Sequence, residues 1–264
     1  MSTAFQPHEA PRDVHEIISA ILCESDEDLR WALIVILHHR GSLDVLQAAE
    51  SLCQSQCLQE RSLGAHLLGQ LGSPERTYPK QCLEILLGLL NREREATVLR
   101  SVITALSHLG EPRAISRFAS HFNPDVRFSV AFALGGETDA RSIQLLIQLS
   151  EDSDSDVRDW ATFGLGTLLA LDTPEIRDAL FVRLYDEDDD TRSEALVGLA
   201  HRKDLRIIPA LKQELSSGCV GTLAVEAAQL IASLQLVPEL LALQSWWDVD
   251  PELLERAIQV STST

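Results

Sequence analysis

The chain has 264 residues, 45% of them hydrophobic but only 5% aromatic, and Leu and Ala outnumber the β-branched types, which favours packed helices over sheets. Its 22 Lys and Arg against 40 Asp and Glu leave a net charge of −18, a balance that repels nucleic-acid phosphates, which binders meet with Lys and Arg. A surface of this sign either attracts basic partners or serves solubility alone.

In chain order, residues 1–12 hold Pro7 and Pro11 and read as a flexible lead without the apolar core of a signal peptide. Val14–Glu24 follows as a first helix, with Ile17, Ile18 and Ile21 on one face, and Leu29–His39 as a second, stopping at Gly41. The pairing then repeats: Leu43–Gln54 with Cys57–Leu71, Pro79–Leu90 with Thr97–Leu109, Pro112–His121 with Pro124–Leu134, Ala140–Ser150 with Ser155–Leu171, Pro174–Tyr185 with Asp190–His201, Leu205–Leu215 with Val220–Leu234, and a shorter Pro238–Ser245 with Pro251–Val260. Ser261 to Thr264 reads as a loose tail. The expected architecture is all-α: one α-solenoid of about seven to eight helix pairs over residues 13–260.

Recurrence carries this reading. Asp28-Leu29-Arg30, Asp125-Val126-Arg127, Asp156-Val157-Arg158 and Asp190-Thr191-Arg192 each open a second helix. Arg30, Arg61, Arg100, Arg127, Arg158 and Arg192 fall 31, 39, 27, 31 and 34 residues apart, the range of helix-pair repeats. Asp at a helix start can cap free N–H groups, and Arg two residues on can reach the next turn's carboxylate, giving a ladder along the stack. Ala161, Gly164, Val130, Ala133, Ala195 and Gly198 are small where helices should touch, and Val157, Ala161, Gly164, Leu165 and Leu168 set the core phase.

A helix pair of about 30 residues, with Asp-Val-Arg opening its second helix and Ala-Leu-Gly near its end, resembles the HEAT repeat, most of all the short bacterial type named after phycobilisome lyases. A narrower resemblance rests on Asp156–Ala161, Ile176-Arg177-Asp178, Glu194–Asp204 and Val225–Ala228 in that order. These look like an enterobacterial family of HEAT-repeat immunity proteins encoded beside Rhs-type toxins. That resemblance implies a cytoplasmic antidote that binds a toxin domain. Together with the charge of −18 it leads to the expectation of a basic toxin domain, such as a nuclease, as partner, and of a chain monomeric on its own. A phycobilin-lyase-like enzyme subunit and a general protein-protein scaffold are the alternatives.

Catalytic chemistry has no foothold. No Ser-His-Asp set, phosphate loop or dinucleotide glycine motif occurs. His-Glu pairs, which metal-dependent HEAT hydroxylases place on several repeats, occur only at His8-Glu9 and His15-Glu16. No cofactor, metal or catalytic residue is therefore expected. The five cysteines are too few and too odd for a disulfide framework and read as buried thiols in a reducing compartment. His38, His39, His108 and His201 end second helices, where a cation suits the dipole. No stretch of about 20 apolar residues could span a bilayer.

Two surfaces could hold a partner. The first is the concave groove lined by second helices. Trp31, Phe128, Phe132, Asp159, Trp160, Phe163 and Glu194 share the outward phase, with His66 able to face the same groove. Buried aromatic anchors with a charged rim suit an interface, though Phe132 and Phe163 also suit the core between repeats. The second is an acidic edge where the intra-repeat turns gather, with Asp26, Glu27, Asp152, Asp154, Asp186, Glu187, Asp188 and Asp189. Neighbouring turns about 10 Å apart lie within about one Debye length, so their fields add. Solvated turns are the plainer account, and Asp152–Asp156 lacks the Gly and Glu of a calcium loop. Trp246-Trp247-Asp248-Val249-Asp250 is either an end cap or a contact.

Overall fold

A computed structural model describes residues 13–263. The described residues form 16 α-helices and no strand. They divide into two compact units, Met1–Ile115 and Ser116–Thr264. The first holds α1 (Val14–Cys23), α2 (Glu27–Arg40), α3 (Leu43–Cys53), α4 (Leu58–Gly69), α5 (Pro79–Arg92), α6 (Ala96–His108) and the single turn α7 (Pro112–Ile115). The second holds α8 (Pro124–Leu134), α9 (Ala140–Leu149), α10 (Ser155–Phe163), α11 (Pro174–Arg183), α12 (Asp189–His201), α13 (Ile208–Leu215), α14 (Thr222–Ile231), α15 (Val237–Leu243) and α16 (Pro251–Ser263). The lead and His8-Glu9 lie outside the described residues. The chain end is helical through Ser263, and Ser261 is buried.

Second helices stack in order within each unit: α2 on α4 and α4 on α6, then α8 on α10, α10 on α12, α12 on α14 and α14 on α16. Each also packs on its own first helix, as α3 on α4 and α11 on α12. Leu37, Leu67, Leu86 and Ile103 in one unit, and Leu134, Leu146, Leu165, Leu180 and Leu199 in the other, have no solvent exposure. Each such side chain contributes roughly 1.5–3 kcal/mol by leaving water.

The capping residues are not those of the recurring triplet. Asp26 accepts from Leu29 N (3.0 Å), Asn123 from Asp125 N (2.8 Å), Asp154 from Val157 N (3.2 Å) and Asp188 from Thr191 N (2.9 Å). Each cap sits two residues ahead of the triplet's Asp, which lies inside the first turn and interacts with the helix dipole instead.

Arg61, Arg127 and Arg158 form the expected ladder, whereas Arg30 pairs with Glu27 of its own helix (3.5 Å). Arg61 pairs with Glu93 (2.7 Å), Arg127 with Asp152 (2.6 Å) and Arg158 with Asp186 (2.9 Å). Each also donates to a carbonyl of its own turn: Arg61 to Ser55 O, Arg127 to His121 O, Arg158 to Asp152 O. The receiving carboxylate in turn accepts backbone N–H groups of its turn, from Glu95, Asp154 and Asp188 respectively. Arg192 donates to Asp186 O and pairs only with Asp189 of its own helix, because the next turn, Ser217-Gly218-Cys219, has no acid.

Three expected helices differ. The expected Pro112–His121 helix divides into α7 and a 3₁₀ turn at Ser116–Ser120, and α13 is preceded by a 3₁₀ turn at Leu205–Ile207. The helix expected to reach Leu171 leaves α-geometry after Phe163 and closes through a π turn, Gly164–Leu168, with Leu169 N bonded to Gly164 O (3.1 Å). The wider turn shifts the phase, so Leu168 is 45% exposed and Leu169, at 2%, takes its core place. Arg202 secures this turn. Its buried guanidinium donates to Leu165 O, Gly166 O, Leu169 O, Leu171 O and Gly198 O, all at 2.7–2.8 Å. A Cβ on Gly198 would lie 2.5 Å from Gly166 Cα, so these glycines permit the close approach.

Removing one partner of a buried rung should be costly where the carboxylate stays buried. Arg158→Leu is expected to lower unfolding stability by about 3 kcal/mol, and Arg192→Leu, which completes no inter-repeat pair, by about 1 kcal/mol or less, as read from urea midpoints.

Candidate protein-binding groove

In the second unit, i,i+4 spacing brings Phe128 and Phe132 to one side of α8, facing Trp160 on α10. The Trp160 ring lies 5.5 Å from Phe128, 5.4 Å from Phe132 in a near-parallel stack, and 5.4 Å from Phe163. Such pairs add about 0.5–1.5 kcal/mol each beyond their burial. Phe132 is 40% exposed and Phe128, Trp160 and Phe163 are half-buried, so Phe132 and Phe163 are not withdrawn into the core. Trp160 Nε1 is closed off from solvent with no acceptor among the described residues.

The next residue round the helix turns toward α12. Asp159 on α10, Glu194 on α12 and Glu226 on α14 are half-buried carboxylates on successive second helices. Burial, then the negative charges of Asp190, Asp188 and Asp156, push the Asp159 carboxyl up to about 6. Burial and then Asp159 push Glu194 up to about 7, Glu226 and Asp190 adding to the shift, while a hydrogen bond from the Thr167 hydroxyl (3.3 Å) works against it. Every charge acting on either group is negative. Asp159 Oδ1 is buried and has no hydrogen-bond donor among the described residues. The nearby bases are engaged elsewhere, Arg158 with Asp186 and Arg192 with Asp189.

Trp31 and His66 belong to the first unit and meet there. They line a cavity of about 610 Å³ with Ile21, Ile34 and Leu63. Trp31 is half exposed and stands edge-on to His38 at 6.1 Å. The His66 ring reaches water, yet the protein flanking it lowers its pKa, and His108 adds to the shift. His38 is buried with Nε2 3.1 Å from His66 O. The cationic role expected of helix-terminal histidines is reversed for His38 and His108: burial lowers both pKa values, so both rings are neutral at neutral pH. A wider concavity of about 820 Å³ along α9, edged by Arg141, Gln144, Gln148 and Glu151, shares no residue with either set.

The acidic edge is less free than its sequence suggests. Asp152 and Asp186 are rung carboxylates with side chains only 9% and 5% exposed, so they are committed internally. Asp26, Asp154 and Asp188 are caps, and Glu27 pairs loosely with Arg30 (3.5 Å). Glu187 and Asp189 are solvent-facing. The expectation of buried thiols holds for Cys53 and Cys82, whose thiols burial pushes up to about 12 and about 11, but Cys23, Cys57 and Cys219 are exposed. Trp247 is a cap, its indole N–H donating to Val220 O (2.8 Å), while Trp246 is exposed.

Thus six of the eight groove candidates gather in the second unit: Phe128, Phe132, Asp159, Trp160, Phe163 and Glu194. Thr167, Asp190 and Glu226 join them without having been singled out. The signal for Glu226 was its place 32 residues beyond Glu194, one repeat on.

The HEAT-repeat family profile matches residues 143–232, which contain most of this groove. Protein YibA of Escherichia coli K12 is 30% identical over 238 residues, covering 84% of this chain and 82% of that protein. The X-ray structure of E. coli YibA superposes with a TM-score of 0.79 at 25% identity, over 98% of this chain and 100% of that one. A crystal structure of importin beta, 14% identical, matches 94% of this chain and 42% of its own at a TM-score of 0.59, a likeness of fold alone.

The raised carboxyls carry a sign. A carboxyl whose folded pKa exceeds its unfolded value loses stability as pH rises through the folded value and regains it as pH falls toward the unfolded value. Glu194→Gln should therefore stabilise the protein at pH 8 by about 1 kcal/mol, a figure reduced for the group's partial exposure. Most of that gain should vanish by about pH 4.5 in paired urea titrations.

Proposed function

The chain belongs to the YibA family of HEAT-repeat proteins, and from that premise we propose that it is a non-catalytic, cytoplasmic protein-binding module that neutralises a cognate toxin domain by direct binding. The resemblance to immunity proteins encoded beside Rhs-type toxins supports the toxin as partner. The groove supports binding through its one decisive feature: Asp159 and Glu194 are partly dehydrated, and the charges that act on them, Asp156, Asp188 and Asp190 on the first and Asp159, Glu226 and Asp190 on the second, are all acidic. Half-buried like charges oppose folding, and a basic partner relieves them. The four-ring cluster beside them supplies apolar contact area of the kind that anchors interfaces. A basic nuclease fits this surface, because carboxylates can stand where its substrate's phosphates would stand and so block the cleft by geometry alone. No helix among the described residues is long and apolar enough to cross a membrane.

Co-expression with the product of the adjacent gene, followed by co-purification and calorimetry, tests the assignment. If that gene encodes no toxin-like domain and no stable complex forms, the immunity role falls. Within a complex, Asp159→Lys and Glu194→Lys should each weaken binding by about 100-fold with folding intact. Glu187→Lys and Asp189→Lys at the edge should change it by about threefold or less. The reverse pattern would move the partner to the edge.

A further inference from the structure

We propose that the face of α10 carrying Asp159 and Phe163, continued by Thr167 and closed on one side by Glu194 of α12, seats an arginine side chain of the partner, its guanidinium lying on the Phe163 ring between the two carboxylates. This deepens the protein-binding assignment above and rests on it. Asp159 and Phe163 are four residues apart and therefore stack one turn above the other. Thr167 follows four residues later, across the π turn, and its hydroxyl donates to Glu194 Oε2, which fixes that carboxylate from the far side. Asp159 thus lies one turn from a half-buried ring that Trp160 backs at 5.4 Å, and Glu194 of α12 is tied to the same segment through Thr167.

The chemistry selects guanidinium over ammonium. A planar cation with five donors can lie flat on a ring and still bond carboxylates at its edges, whereas an ammonium is a compact, strongly hydrated point charge. Beside the charge itself, one observation points to an outside donor. Asp159 Oδ1 is buried and has none among the described residues. The acidic groups acting on the recess, Asp156 on α10, Asp188 and Asp190 at the start of α12 and Glu226 on α14, bring no counter-charge to it.

The test titrates capped acetyl-(Gly-Arg)3-amide and acetyl-(Gly-Lys)3-amide into the intact protein at low ionic strength, following backbone amide shifts of α10 and α12 by NMR. The arginine peptide should bind about fivefold tighter than the lysine peptide. Phe163→Leu should erase that preference while changing lysine binding little. Asp159→Asn and Glu194→Gln should each weaken both peptides by about tenfold, and Asp189→Asn should weaken neither. Glu194→Gln is expected to stabilise the fold, so loss of binding in that variant cannot come from unfolding. Equal affinity for the two peptides, an arginine preference that survives Phe163→Leu, or no shift in α10 and α12 would overturn the seat. If the seat fails while Glu194→Lys still breaks the toxin complex, the groove assignment stands without it. If the arginine preference holds and no toxin complex exists, the seat stands and the immunity role does not.

Discussion

Each rung of the ladder joins three things that elsewhere in proteins are separate. The guanidinium of Arg61, Arg127 or Arg158 closes its own turn by bonding a carbonyl, reaches one repeat onward to a carboxylate, and that carboxylate gathers the N–H groups of the turn it belongs to. A buried ion pair is often no better than an apolar contact, because dehydrating both charges offsets their attraction. Here nearly every donor and lone pair finds a partner, which is the condition under which burial is tolerated. The rung also fixes the register between successive second helices, because the guanidinium must reach a particular residue of the next turn. The order in which α8, α10 and α12 face one another therefore depends on it, and the groove depends on that order.

The ladder also sorts charge. Arg127 and Arg158 open α8 and α10 and are turned toward the turns, where Asp152 and Asp186 neutralise them. One residue beyond Arg158 the groove phase carries Asp159, and two beyond Arg192 it carries Glu194, while Arg158 and Arg192 are themselves engaged with Asp186 and Asp189. A net charge of −18 read from composition says only that acids exceed bases. The fold adds that the bases of these repeats are spent within the stack, so the unmet negative charge falls on the groove and on exposed turn residues such as Glu187. An acidic partner is disfavoured on both surfaces, and a basic one is steered to them.

Much of the fold was legible because it is written as a period. The arginine spacing located second helices to within two or three residues, and the prediction of a ladder needed only the rule that an opening Arg looks for the next turn's acid. What escaped was set by contacts distant in sequence. Asp152 and Asp186 look identical to Asp189 in a charge run, and only the approach of an arginine from the previous repeat tells a buried rung carboxylate from one that faces solvent. His38 and His108 were assigned a cation's role from the helix dipole, but burial outweighs a partial charge of half a unit. Glu226 was passed over because its repeat lacks the opening arginine that marks the others, although it holds the same groove phase.

The π turn was illegible for the same reason and matters more. Nothing in Gly164-Leu165-Gly166-Thr167-Leu168 demands i,i+5 bonding. The demand comes from Arg202, more than 30 residues away, whose guanidinium draws carbonyls from both ends of the turn and from Gly198 toward one point. A π turn in an otherwise α-helical segment leaves α-geometry where a local purpose outweighs regularity. Here it lets Gly166 and Gly198 meet backbone to backbone, and it presents Thr167 to Glu194. Close approach of α10 and α12 is what strips water from Asp159 and Glu194. Two glycines and one buried arginine, none of them in the groove, therefore set the electrostatic character of the groove. A larger residue at position 198 would push the helices apart, rehydrate both carboxylates and return them toward ordinary acidity, leaving the charge of the groove in place but not its demand for a partner.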